Sequence, residues 1–175
     1  TLLPQLRDRP RPPRSKSATA ASAWLKQSSG EKFIPASFRK RIFNGMLQIT
    51  NLTRRKINEK IFQEVFSAAQ KILKGKIKET SLVLTDNERI KEINKKYRRK
   101  NEITDVLSFE ELNEIFISLS RAQAQARERK IGLNCELTRL FVHGIVHLAG
   151  YDHEKSAKKA ERMFAIEGRI LRSLK

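Results

Sequence analysis

All three histidines of the 175-residue chain fall within eleven residues, HGIVHLAGYDH (143–153). Imidazole is the commonest side-chain ligand for a metal ion, so their spacing carries the first chemical signal. His143 and His147 stand at i and i+4, which on a helix puts both rings on one face, a turn apart. Gly150 permits a positive φ that ends the helix, so His153 can swing back toward the pair. Three converging nitrogens make a catalytic zinc geometry with the fourth position open. A structural zinc wants four protein ligands, usually with cysteine, and Cys135 is the only cysteine. The same spacing occurs in metzincin proteases, but those begin His-Glu, the glutamate serving as general base. Gly144 stands in that place here, so peptide hydrolysis by that route lacks its base.

Other residues add to this chemistry. Arg98 lies in the basic run KKYRRK (95–100). An arginine beside a metal would hold a scissile phosphate bidentately and stabilise the charge developing on it. Its rival role is that of a solvated basic helix end favoured by the helix dipole. Lys95, Lys96, Arg99 and Lys100 are expected to contact the backbone of a polyanion. Asp152 precedes the last histidine; it would orient an imidazole or act as a base, with an Asx-type turn as the alternative. Thr104 and Asp105 are candidates to cap the neighbouring turn. Glu167 falls on the expected buried stripe of the last helix, formed by Ala160, Met163, Phe164, Ile170, Leu171 and Leu174. A carboxylate there needs a partner, either an arginine or a ligand histidine.

The elements that must position these side chains alternate along the chain. LQIT (47–50) reads as a strand. Ile57, Ile61, Val65, Ala69, Ile72 and Leu73 mark one face of a helix that Gly75 stops. SLVLT (81–85) is a short buried strand, and Thr85 and Glu88 have capping-box spacing for a helix with Ile90, Ile93 and Tyr97 inside. ITDVLSF (103–109) and EIFIS (114–118) read as two strands with a tight connection. Helical segments follow at roughly 119–130, 135–149 and 156–173. This order predicts an α/β (α+β) fold: a small mixed four-stranded sheet with helices packed on it.

Composition divides the chain near residue 45. Residues 1–45 carry ten Lys/Arg against Asp8 and Glu31, together with all five prolines, and show no helical or strand period. They read as a disordered basic extension: a vector-derived or mis-called start, or an Arg-rich organellar transit segment. Of the chain's net charge of +18, residues 46–175 keep a surplus of ten, with 27 Lys/Arg against 17 Asp/Glu. A surplus of that size favours a polyanionic partner, nucleic acid before membrane. No apolar run approaches the roughly 20 residues that span a bilayer. A lone cysteine suits a reducing compartment, so a cytoplasmic location is expected, or an organellar one if residues 1–45 are a transit peptide.

HGIVHLAGYDH closely resembles the signature H-G-x-x-H-L-x-G-Y-D-H of the YbeY family of bacterial rRNA-maturation endoribonucleases. INKKYRRKNEITDVLSF (93–109) is similar to that family's N-x-x-Y-R-x-K-x-x-x-T-D-V-L-S-F block, and Met163 and Glu167 match its M-x-x-x-E helix. The resemblance runs from about Met46 to the end and has no counterpart in residues 1–45. It implies a single-strand-specific endoribonuclease of rRNA maturation and ribosome quality control. One Zn2+ per chain would be held by His143, His147 and His153, with Arg98 matching the family arginine. The implied partners are ribosomal RNA and ribosomal subunit proteins. The chain departs from the pattern after L-S-F, where the family has a proline and a longer acidic loop reaching L-G-D-I. Here Glu110 and Glu111 lead to LNEI (112–115), so Asn113 and Glu114 replace Gly-Asp. Glu114 keeps that carboxylate, displaced by about one methylene, in a supporting or structural position. The competing readings are a non-catalytic RNA-binding assembly factor whose zinc ties the C-terminal helices together, and, further off, a metalloprotease.

Overall fold

The TSLVLT run (Thr80–Thr85) is buried at every position, as a strand covered on both faces must be. It lies inside the sheet of the computed structural model, which describes residues 47–77, 79–153 and 156–174. The basic extension read at residues 1–45 lies outside the described residues. The elements are β1 (Leu47–Asn51), α1 (Lys60–Ile72), β2 (Thr80–Thr85), α2 (Asn87–Arg98), β3 (Val106–Phe109), β4 (Glu114–Ser118), α3 (Leu119–Glu128), α4 (Leu133–Leu148) and α5 (Ala157–Arg172). A single 3-10 turn, Glu110–Leu112, makes the tight connection between β3 and β4. The sheet order is β1-β2-β4-β3, with β1, β2 and β4 parallel and β3 antiparallel at the edge. The expected mixed four-stranded sheet is therefore present.

Alternation along the strands sends side chains to two different layers. Leu82, Leu84, Ile115 and Ile117 face a large core closed by α1, α3, α4 and α5. Val83, Leu107 and Phe116 face the other way and meet Ile90 and Ile93 of α2, with Leu52, Tyr97 and Phe109 at the margin. In the larger core Phe62 of α1 meets Phe141 of α4 edge to face, ring centroids 5.3 Å apart.

Some element boundaries differ from the sequence reading. The cap of α2 is Asp86, whose carboxylate accepts the Arg89 N–H at 2.8 Å, not Thr85. Thr85 completes the strand instead. The segment 103–109 is extended only from Val106, because Asp105 holds the entry to β3. Its Oδ1 accepts the Val106 N–H at 2.8 Å and the Thr104 hydroxyl at 3.2 Å. Its Oδ2 accepts the Gln125 amide of α3 at 2.9 Å. Burial pushes the Asp105 carboxyl up, but these hydrogen bonds outweigh it and hold the group below its ordinary range. Phe164 was expected in the buried stripe of the last helix; Met163 and Ile170 are buried, whereas Phe164 is 56% exposed.

Candidate metal centre

Helix α4 presses on the sheet beside β3 and β4, and Gly144 makes that approach possible. A Cβ there would lie 2.9 Å from Ile115 Cγ2 and 3.2 Å from Ser108 Oγ. A glutamate in this position, as a metzincin site requires, has no room. The contact fixes the height of the flanking His143 over the sheet. At the far end of α4, Gly150 takes φ +81°. The Gly150 N–H donates to the His147 carbonyl at 2.8 Å and the Tyr151 N–H to the Val146 carbonyl at 3.3 Å, a Schellman ending. This turn carries the chain back over the last turn of α4 and delivers His153.

The three imidazoles converge. Ring centroids are 4.6 Å apart for His143–His147, 5.3 Å for His143–His153 and 5.1 Å for His147–His153. One nitrogen from each lies within 4.8 Å of the others. His143 Nδ1 is 2.8 Å from Glu167 Oε1 of α5. With the carboxylate accepting, the ring hydrogen sits on Nδ1 and Nε2 keeps its lone pair for a ligand role. Of the two partners anticipated for Glu167, the structure supplies the ligand histidine. Burial, followed by the neighbouring His143 and His153, pushes His147 down to about 4, so it is neutral at physiological pH. His153 Nδ1 is buried with no hydrogen-bond partner among the described residues. A neutral His147, an oriented His143 and an orphaned buried nitrogen on His153 are what a metal ion needs, and the donor set fits one.

Arg98 arrives from the opposite layer. It is the last residue of α2, and its Nη2 donates to the Ser108 carbonyl of the edge strand at 3.2 Å. Ser108 is the residue whose hydroxyl lies against Gly144, so the guanidinium is moored beside the histidine helix. Its charge reaches His147 and disfavours protonation there, whereas Asp152 acts in the opposite sense. Lys95, Lys96, Arg99 and Lys100 are all exposed around the end of α2. Arg99 takes φ +61°, and the turn that follows is closed by Lys100 N–H on the Asn94 carbonyl at 3.3 Å. Asn94 is itself buried and donates to the Glu102 carbonyl at 3.0 Å, holding the basic loop to the helix.

Glu114 is not among the converging donors. It is fully buried at the start of β4, where its carboxylate accepts the Ser81 hydroxyl at 3.4 Å. Burial first, and the Glu114 charge second, push the Tyr97 hydroxyl above its ordinary value.

Sequence reasoning missed one set of residues. Glu136, fully buried in the first turn of α4, accepts from Arg129 and, at 2.7 Å, from Arg139 Nη2. The Glu136 hydrogen bond stabilises the Arg139 charge, and Asp105 and Glu167 add to it. Arg139 is thus held to the start of α4 by Glu136, and its charge is favoured further by the carboxylate beside His143. The signal was available: Glu136, Arg139, His143 and His147 form one polar stripe at helical spacing.

The family model described as Endoribonuclease YbeY matches residues 47–175. The chain belongs to this family. An endoribonuclease YbeY of Persephonella marina is 37% identical over 143 residues, covering 75% of this chain and 94% of the relative. One of Aquifex aeolicus is 38% identical over 135 residues, covering 72% and 90%. One of Sulfurihydrogenibium sp. reaches 47% over 106 residues, covering 55% and 70%. A solution structure of a Thermotoga maritima protein is 29% identical with a TM-score of 0.53, covering 74% of this chain and 89% of that one. Among the described residues no helix is long and apolar enough to cross a membrane.

Proposed function

We propose that this chain is a metal-dependent endoribonuclease that hydrolyses phosphodiester bonds in single-stranded regions of ribosomal RNA during rRNA maturation. The observation that carries the proposal is the convergence of His143, His147 and His153 within reach of the Arg98 charge, in a member of an endoribonuclease family. These three histidines would hold one zinc-type ion. The chemistry such an ion supplies is Lewis-acid polarisation of a phosphoryl oxygen and of the attacking water.

The chain's own residues have separate parts. Glu167 holds His143 in one tautomer and one orientation. Arg98 offers a planar fork to the phosphate and meets the charge that develops on it. Asp152, one residue before the third ligand, accepts or delivers a proton at the site. Lys95, Lys96, Arg99 and Lys100 lead the strand in through its backbone phosphates. Ribosomal subunit proteins are the natural further partners, and a cytoplasmic or organellar location follows from the substrate.

Metal content measured together with cleavage of a structured RNA tests the reading. We expect about one zinc-type ion per chain and cleavage that disappears with chelation and returns with metal. RNA binding without cleavage at full metal content would favour the assembly-factor reading, in which the ion only ties the C-terminal helices together.

A further inference from the structure

Phe164 is out of place for a residue of its type. Its neighbour Met163 is fully buried, yet the Phe164 ring is 56% exposed, ahead of Ile103 at 44% and Ile131 at 37%. The ring is not remote from the candidate centre. Its centroid lies 6.4 Å from that of His153, the planes inclined by 35°. The first turns of α5 also expose Lys158, Lys159, Glu161 and Arg162, with the Arg162 guanidinium 5.6 Å from the Tyr151 ring centroid. An exposed aromatic ring on a chain of net charge +18 is the combination that single-stranded nucleic acid uses, the phosphates meeting charge and a base meeting the ring.

Arg98 acts on His147, whereas Phe164 abuts His153, so a strand with a phosphate at the histidines has both within reach. We propose that Phe164 is the stacking platform for the base of a nucleotide next to the scissile phosphate. The inference rests on the histidines being the cleavage centre. Stacking on Phe164 requires a base with a free face. Bases in an A-form duplex are stacked on their neighbours and do not offer one. Phe164 therefore selects for unpaired RNA without selecting for sequence, because every base has a π-face.

The test uses the full chain loaded with metal and a short single-stranded oligoribonucleotide whose cleaved linkage has been mapped. Losing one base–aromatic stack typically weakens binding roughly tenfold. Phe164→Ala should show that loss, Phe164→Trp should recover it, and neither should alter metal content or lower the melting temperature. Replacing the base beside the cleaved linkage by an abasic site should cost the wild type the same factor and cost Phe164→Ala nothing further. A second readout does not need turnover: 2-aminopurine at that nucleotide should be quenched on binding to metal-loaded Arg98→Ala and not to Arg98→Ala/Phe164→Ala. Quenching without cleavage by the wild type would sink the endonuclease reading and leave the stacking intact. Equal binding by wild type, Phe164→Ala and Phe164→Trp, with the abasic penalty unchanged, would overturn the stacking. A wild-type dimer that dissociates on Phe164→Ala would also overturn it, assigning the ring to a contact between copies.

Discussion

The two faces of the sheet are built differently. One carries four helices and a core that includes Phe62, Leu82, Ile115 and Phe141; the other carries α2 alone over Val83, Leu107 and Phe116. The histidines project from the thick side, where packing holds them to one geometry. Arg98, the proposed phosphate contact, comes from the thin side, as the last residue of α2 and exposed, with its guanidinium on the Ser108 carbonyl. The two approach each other at β3, where Arg98 reaches the Ser108 carbonyl and the Ser108 hydroxyl lies against Gly144. Under the proposed function, half-buried placement of the candidate metal ligands and exposed placement of the candidate phosphate contact are different requirements, and they fall in different layers.

Substitutions can separate the layers. The largest effect belongs to the thick side: His143→Ala, His147→Ala or His153→Ala should abolish metal binding and cleavage, and lower the melting temperature because metal binding couples to folding. Elemental analysis showing full occupancy in any of the three would remove that residue from the ligand set.

On the thin side, Arg98→Ala should retain full metal content while single-turnover cleavage at saturating RNA falls roughly 10²–10³-fold. Arg98→Lys should recover little, since a point charge does not reproduce the planar fork. A near wild-type rate at saturating RNA would reduce Arg98 to one more backbone contact and leave the comparison with one functional face.

A smaller effect is expected where α5 supports α4. Glu167→Gln keeps the volume but weakens the hold on His143, and metal affinity should drop by about 10–100-fold, read by competition with a chelator. Unchanged affinity would mean that packing alone orients the ring.

The smallest effect is a pH dependence of the apoprotein. An unfolded histidine titrates near 6.5, but His147 in the fold titrates at about 4. Between these values the unfolded chain binds more protons, so stability rises with pH. The contribution of His147 is complete above pH 6.5 and is lost as pH falls toward 4. Melting of metal-free protein across that window should show the slope, and His147→Gln should flatten it.

Much of this was legible in the chain because local signals decide it. The i, i+4 pair and the helix-ending glycine of HGIVHLAGYDH imply a three-histidine cluster before any tertiary contact is known. The strand runs SLVLT and EIFIS are apolar enough to be central. Reading failed where a competing local bond won or where a partner lay far along the chain. Asp86 caps α2 because its carboxylate stands three residues before the Arg89 N–H and reaches it, while Thr85 is held in the ladder. Asp105 delays β3 because its side chain answers to Gln125, twenty residues on. Phe164 matched the apolar period of α5, yet periodicity cannot tell which apolar residue lacks a neighbour. Gly144 read only as a missing glutamate, and its packing against Ile115 needed the sheet in place.

Arg98 has one more consequence, unconnected with chemistry. β3 is an outer strand, and a bare outer strand invites another chain to extend the sheet. Four residues is a short invitation, and the guanidinium on the Ser108 carbonyl shortens it further by occupying an acceptor that an incoming strand would use. The same side chain is thus a guard against self-association. Purified Arg98→Ala should aggregate at lower concentration than Arg98→Lys, which keeps a cation at the edge.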